Sequence, residues 1–136
     1  MAVSKKGKRR ITVNGSKYLW WVYEEYDQTA FDGYQVKILS ENQSIYFLYG
    51  FEHNSKNRFV IMALNQNRLG VHLLCPKFED ESGIIKPSAI KGIIEWCLTY
   101  PGQNSVRNII YAFNSKTGMV NENERRSTLV SILDCL

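Results

Sequence analysis

One stretch decides the fold: Arg10-Ile-Thr-Val-Asn-Gly-Ser-Lys-Tyr-Leu-Trp-Trp-Val-Tyr23. Two runs rich in β-branched and aromatic residues flank the pair Asn14-Gly15. A type I′ turn needs positive φ at both of its central residues, and Asn and Gly tolerate positive φ best. The stretch therefore predicts a β-hairpin whose tight turn is Asn14-Gly15.

The second strand of this hairpin is apolar on both sides. Successive side chains of a strand point to opposite faces of a sheet, so Trp20 and Trp21 must project to opposite sides. Each tryptophan has aromatic or aliphatic neighbours on its own side. We therefore expect an inner strand, covered by the core on one side and by a helix or a partner on the other.

Six strand-like runs follow one another in the first 75 residues, separated by short polar turns. No helical pattern interrupts them, and parallel pairing would need a long crossover connection. The order therefore predicts an antiparallel meander. A seventh strand is expected from Val106 to Phe113, and the acidic stretch from Glu24 to Gly33 is interpreted as a loop.

Two later segments have helical periodicity. Between Pro87 and Thr99, apolar residues recur at the i, i+3, i+4, i+7 spacing of an amphipathic helix. Pro87 suits the first helical turn, and Pro101-Gly102 is expected to end the helix. The last ten residues carry a second apolar stripe, but a helix this short is marginal alone. We expect it to dock on its own chain, with a second copy or a partner as the alternatives.

Together these patterns predict the fold class α+β. The expected fold is an antiparallel sheet of about six or seven strands, a helix at about 87–99 packed on one face, and a short C-terminal helix at about 127–135. The predicted boundaries are a basic, flexible arm at 1–9, a single domain at 10–113, a polar linker at 114–126 and the C-terminal helix at 127–136. A length of 136 residues fits one domain.

Positive charge is concentrated at the N-terminus. The chain has 17 Lys and Arg against 13 Asp and Glu, a net charge of +4. Five of the basic residues lie among the first ten, and the rest of the chain has a net charge of −1. A short basic arm can contact phosphates, although a solvated terminus is the more ordinary explanation.

The sequence predicts neither a membrane span nor a secretory signal. No apolar run approaches the roughly 18 residues of a membrane helix, and Met1 to Arg10 is polar and basic. The three cysteines, Cys75, Cys97 and Cys135, are odd in number and lack a paired spacing. We therefore expect a cytoplasmic protein with reduced thiols and no membrane partner.

Motifs for catalysis or cofactor binding do not occur: the sequence has no glycine-rich phosphate loop, Gly-x-Ser-x-Gly or His-Glu-x-x-His. His72 and Cys75 have a His-x-x-Cys spacing, but residues three apart in a strand point to opposite faces. Cys97 lies on the apolar stripe of the helix, and the acidic residues at 79–81 are interpreted as solvated loop residues. We expect no catalytic residue, no metal site and no cofactor. An enzyme with a pocket near His53 or His72 is the third hypothesis.

Aromatic residues are distributed unevenly, since 12 of the 17 lie between Tyr18 and Phe59. Rings on a sheet can stack with the bases of a single-stranded nucleic acid. Those strands, however, contain only Lys17 and Lys37 to pair with phosphates. Because Tyr and Trp are also enriched at protein interfaces, we favour a core plus one protein-contact face.

The opening segment from Lys8 to Val22 resembles the start of a group of small uncharacterised bacterial proteins. Those proteins begin with a basic residue, an Ile-Thr-Val-Asn-Gly hairpin and a Tyr-x-Trp strand, and later carry a Trp-containing amphipathic helix. Lys86-Pro87 and Glu95-Trp96 are similar to that helix, except that Lys86 stands where the group would have a capping hydroxyl. The resemblance implies a bacterial cytoplasmic origin and no known activity.

The sequence thus predicts a non-enzymatic cytoplasmic protein-interaction module, of an accessory, defence or immunity type, that binds a protein partner or itself. A dimer is expected. The alternative is a nucleic-acid-binding protein that uses the basic arm and a tyrosine-rich sheet face. The candidate interface residues are Trp20, Trp21, Tyr23, Tyr46, Tyr49, Leu129, Ile132 and Leu133. The candidate nucleic-acid contacts are Lys5, Lys6, Lys8, Arg9 and Arg10.

Overall fold

The computed structural model describes residues 8–25, 33–51, 57–64, 69–78, 80–81, 84–103, 109–114, 118–119 and 124–134. The strands within these ranges are β1 (Arg9–Val13), β2 (Ser16–Glu25), β3 (Gly33–Ser40), β4 (Ile45–Gly50), β5 (Asn57–Leu64), β6 (Leu69–Pro76), β7 (Asp80–Glu81), β8 (Ile84–Ile85), β9 (Ile109–Asn114) and β10 (Gly118–Met119). The helices are α1 (Pro87–Gln103) and α2 (Arg125–Leu133).

Eight strands form one antiparallel sheet in the order β1-β2-β3-β4-β5-β6-β9-β10, while β7 pairs with β8. The first six strands are neighbours in chain order, which confirms the predicted meander, and the α+β fold class is confirmed with it. The sheet is one strand wider than expected because β10 pairs with β9. This two-residue strand lies within the stretch 114–126 that was expected to be a linker.

The predicted hairpin is present. Asn14 and Gly15 have φ angles of 51° and 83°, so both central residues have the positive φ of a type I′ turn. β2 pairs with β1 on one edge and with β3 on the other, and it is therefore an inner strand. It extends through Glu24 and Glu25, which were expected to lie in a loop, and the rest of that stretch up to residue 32 is outside the described residues.

Both helices pack on the same face of the sheet, which we call the helix face. α1 contributes Ile90, Ile93 and Cys97 to the main core, and α2 contributes Leu129 and Ile132. These side chains meet the nearly fully buried side chains that β1 to β6 direct to the same side. The C-terminal helix therefore docks on its own chain, as expected.

The helix ends differ from the predicted ones by a few residues. α1 begins at Pro87 as predicted, and the carbonyl of Lys86 accepts the N–H groups of Ala89 (2.9 Å) and Ile90 (3.2 Å). The expected end at Pro101 is wrong, because α1 continues to Gln103. Proline keeps a helical φ, and because α1 ends two residues later, the hydrogen bond that Pro101 removes and the crowding of its ring against the carbonyl four residues earlier affect only the last turn. α2 begins two residues earlier than predicted and ends at Leu133.

A glycine lets α1 approach the segment that follows β6. A Cβ atom on Gly92 would lie 3.2 Å from Cδ1 of Phe78, closer than ordinary side-chain contacts. The Phe78 ring also meets the rings of Tyr49 and Trp96 edge-to-face, with centroids 5.9 and 6.5 Å apart. This chain of rings connects β4 to α1.

Replacing the second residue of the hairpin turn tests its backbone requirement. We expect Gly15→Ala to lower the free energy of unfolding by about 1 kcal/mol, because an L residue with a Cβ is strained at positive φ. Nothing lies within 4 Å of the added Cβ, so the cost is one of backbone conformation alone. Urea unfolding followed by circular dichroism measures it. Gly15→Asn is the control, with a smaller loss, and equal stability of all three proteins would contradict the prediction.

Candidate functional site

The sheet face opposite the helices carries many ring side chains, and we call it the aromatic face. Its defining residues are Trp21, Tyr23, Lys37, Tyr46, Phe59 and His72. The strand register sets one row across five strands, from Trp21 through Lys37, Leu48 and Ile61 to His72. With about 4.8 Å between neighbouring strands, this row is about 19 Å long.

A small apolar cluster lies at the centre of the aromatic face. Leu48, Ile61 and Ala63 are less than a tenth exposed, yet no residue of α1 or α2 belongs to this cluster. The half-buried rings of Tyr46 and Phe59 pack against it. The two rings therefore cover the apolar cluster and remain partly exposed to solvent themselves.

Two lysines lie over rings of the aromatic face. Nζ of Lys8 is 4.8 Å from the ring centre of Trp21, and Nζ of Lys37 is 4.7 Å from that of Tyr46. A cation–π contact contributes about 0.5–1 kcal/mol at an exposed site. Lys37 is half-buried beside its cross-strand neighbours Trp21 and Leu48, and this burial lowers its pKa. The face thus combines aromatic surface with fixed positive charge.

Two further polar side chains of the aromatic face, Gln35 and His72, contact rings of the same face. Gln35 is fully buried, and its Oε1 accepts a hydrogen bond of 3.1 Å from the hydroxyl of Tyr23, its cross-strand neighbour. Phe59 meets His72 edge-to-face with ring centres 5.6 Å apart. Burial lowers the pKa of His72, so the imidazole is neutral at pH 7.

Four of the eight candidate interface residues lie in the main core instead. Trp20 is 4% exposed, and Tyr49, Leu129 and Ile132 are fully buried. A side chain covered by its own chain cannot contact a partner in this fold, so the structure removes these four from the proposed interface. The sequence showed that both sides of the strands were apolar, but not which side the helices would cover. The side chain of Leu133 is outside the described residues, and the other three candidates lie on the aromatic face.

The basic residues at the N-terminus do not form one group. Lys5 and Lys6 lie outside the described residues, whereas Arg9 and Arg10 belong to β1 rather than to an arm. The guanidinium carbon of Arg9 is 5.4 Å from the ring centre of Trp20, on the helix face. Arg10 is exposed and, by alternation, belongs to the aromatic face.

A buried charged network that no sequence pattern predicted lies on the helix face. Arg58 and Asp80 are at most 2% exposed and form an ion pair, with Nη2 2.9 Å from Oδ1 and Nε 3.2 Å from Oδ2. The hydroxyl of Tyr49 donates to Oδ2 of Asp80 and accepts the N–H of Phe78 at 3.1 Å. Burial and the neighbouring carboxylate of Asp80 raise the pKa of Tyr49, which therefore stays protonated.

The expectation that residues 79–81 are solvated is wrong for Asp80. This residue begins β7, and its carboxylate holds that short strand against β5 through Arg58. Strand alternation could have placed Arg58 on the helix face beside Cys75, its partner in the register of β6. Nothing in the local sequence indicates which acid would meet it.

Breaking this ion pair should destabilise the fold. We expect Asp80→Asn to lower the free energy of unfolding by about 3 kcal/mol, since it removes the carboxylate opposite a buried guanidinium. The double variant Arg58→Met with Asp80→Asn should be more stable than the single variant, because the buried charge is then removed as well. Urea unfolding measures both. Glu41→Gln in an exposed turn is the control, and a loss below 1 kcal/mol for Asp80→Asn would refute the prediction.

The thiols of the described residues are unsuited to nucleophilic chemistry. Cys75 and Cys97 are buried, and burial raises the pKa of each thiol. As expected from alternation, His72 and Cys75 point to opposite faces of the sheet. In the described ranges, no three His, Cys, Asp or Glu side chains are grouped to hold a metal ion. No helix in those ranges is long and apolar enough to cross a membrane.

Thiol labelling tests this burial. At pH 8, we expect Cys75 and Cys97 to react with iodoacetamide at least about tenfold more slowly in the native protein than in urea, because thiolates are the reactive form. Mass spectrometry of the labelled peptides assigns each rate to its cysteine. Equal rates in the native and unfolded proteins would show that these thiols are accessible.

A cleft of about 410 Å³ opens where the β1–β2 and β3–β4 turns meet α1 at Leu98. Three of its polar side chains, those of Ser40, Asn42 and Ser44, form hydrogen bonds within the β3–β4 turn. Oγ of Ser40 donates to Oδ1 of Asn42 at 2.8 Å and accepts the N–H groups of Ser44 (3.1 Å) and Ile45 (3.2 Å). These hydrogen bonds stabilise the turn at the edge of the cleft.

Comparison of the chain with protein-family models, with curated proteins and with solved structures finds no match. The functional argument therefore rests on the geometry of the two sheet faces.

Proposed function

We propose that this chain is a non-enzymatic protein-interaction module whose partner docks on the aromatic face. The observation that carries the proposal is a set of half-buried rings around a small apolar cluster, on a face to which neither helix contributes. Rings with an apolar body and a polar tip are enriched at protein interfaces. Contiguous apolar surface of this kind commonly marks an interaction site.

The arrangement of reactive side chains favours binding over catalysis. His72 and Cys75 are separated by the sheet, and the thiols of Cys75 and Cys97 are buried and protonated. The cellular setting that accompanies this proposal is the one the sequence resemblance implies, an accessory, defence or immunity-type protein in a bacterial cytoplasm.

Nucleic-acid binding is the second candidate, and the placement of Lys8 and Arg10 beside the aromatic face favours it. Together with Lys37 they give the aromatic face more positive charge than the sequence of its aromatic-rich strands had indicated. The rings are less suited to base stacking than the sequence implied. Lysines already lie over Trp21 and Tyr46, and the hydroxyl of Tyr23 is bonded to Gln35. We therefore place protein binding first.

Site-specific photo-crosslinking in the native host tests the proposal. The photoreactive analogue p-benzoylphenylalanine at position 46 preserves a ring on the aromatic face, and the same analogue at position 91, exposed on α1, is the matched control. We expect one recurrent protein to be cross-linked from position 46 and not from position 91. That protein, once purified, should bind wild-type chain at least about tenfold more tightly than Tyr46→Ala, because central aromatic residues dominate interface energies.

Thermal melts must show that Tyr46→Ala is folded, and Lys91→Ala should bind as the wild type does. Phe59→Ala provides a second variant of the same face. Cross-linking to the same extent from positions 46 and 91, or unchanged affinity in both aromatic variants, would contradict the proposal. A cross-link between two copies of the chain would identify a dimer as the functional form.

A further inference from the structure

The charges around the aromatic face are mostly of one sign. Lys8 and Lys37 lie over its rings, and Arg10 occupies the same side of β1. Among the described residues of β1 to β6, acids stand only at the end of β2, Glu24 and Glu25, and Glu41 follows β3 in the β3–β4 turn. The middle of the face therefore carries a positive charge.

These cations have no carboxylate counter-ion in the described part of the chain. The one salt bridge in those ranges joins Arg58 and Asp80 on the helix face. Lys8 and Lys37 are half-buried and held over rings, so their side chains are already ordered. A partner that supplies carboxylates would gain ion pairs without the usual loss of side-chain entropy.

The same charges disfavour a second copy as the occupant. A two-fold symmetric dimer brings the same patch of both copies together. Face-to-face pairing would bring Lys8, Arg10 and Lys37 of both copies into one interface, and like charges gathered in an interface oppose association.

We propose that the aromatic face binds an acidic protein segment, whose carboxylates pair with Lys8, Arg10 and Lys37 while its apolar side chains pack on the half-buried rings of Tyr23 and Phe59. This inference rests on the proposed function and specifies the chemistry of the partner. The aromatic rings supply apolar contact area, and the three cations select for negative charge. Specificity and association rate should therefore depend on salt.

A defined peptide tests the charge requirement. The probe is a fluorescein-labelled nonapeptide of three Glu-Leu-Glu repeats, and its matched control has Gln in place of every Glu. We expect saturable binding of the Glu peptide in fluorescence anisotropy at about 50 mM salt, and at least about tenfold weaker binding at 0.5 M salt. The Gln peptide should bind at least about fivefold more weakly than the Glu peptide.

Variants that remove positive charge test whether the Glu peptide binds on the aromatic face. The double variant Lys8→Gln with Lys37→Gln should weaken binding of the Glu peptide at least about fivefold, whereas Lys91→Gln on α1 should leave it unchanged. Thermal melts of the variants establish that they are folded. A labelled ten-residue oligothymidylate is the third probe, and we expect the full chain to bind it more weakly than the Glu peptide.

Several outcomes would overturn the inference: no binding of the Glu peptide, equal binding of the Gln peptide, or no effect of the double variant. Tighter binding of oligothymidylate would overturn it in favour of nucleic acid. The cross-linked partner separates this inference from the proposed function. The partner could bind Tyr46→Ala more weakly than the wild type and yet bind the double lysine variant with unchanged affinity. That result would support protein docking on the aromatic face and refute the proposal that the docked segment is acidic. Without any partner cross-linked from position 46, docking on this face is itself refuted.

Discussion

Strict alternation of side chains along β2 fixes the two faces of the sheet. β2 is hydrogen-bonded on both edges, so Trp20 and Trp21 are held on opposite sides of the sheet. Burying Trp20 under the helices therefore leaves Trp21 on the other face. A slip of one residue would exchange the two faces, and the turn at Asn14-Gly15 opposes such a slip because only a tight type I′ turn connects the strands in this register.

The two faces consequently have different physical characters. The helix face is closed: its core side chains are almost fully buried, and its two buried charges, Arg58 and Asp80, neutralise each other at 2.9 Å. The aromatic face is half-open, and its lysines lie over rings rather than beside carboxylates. The buried charges are paired because an unpaired buried charge would strongly destabilise the fold. Partly exposed, unneutralised cations among rings are suited to recognition.

Different parts of the molecule were predictable to different degrees. The meander, the hairpin turn and the start of α1 follow from local patterns, namely alternation, an Asn-Gly pair and a proline before an apolar stripe. The end of α1 was misjudged because the penalty of Pro101 is local and the last turn can include it. Asp80 was misjudged for a different reason. Its burial depends on Arg58, which is 22 residues away, and no sequence period relates the two.

The sequence by itself determined which residues share a face, since side-chain alternation is a property of the strand backbone and needs no tertiary information. It did not determine which face the helices would cover, because Trp20 and Trp21 are equally apolar and either could have been buried. It took the packing of the whole chain to place Tyr49 and its cross-strand partners Val36 and Val60 in the core and to leave Tyr46 facing outward. A helix covers the sheet face against which its apolar stripe buries the most surface, and the side chains of all strands together form that face. That choice depends on contacts among residues far apart in the chain.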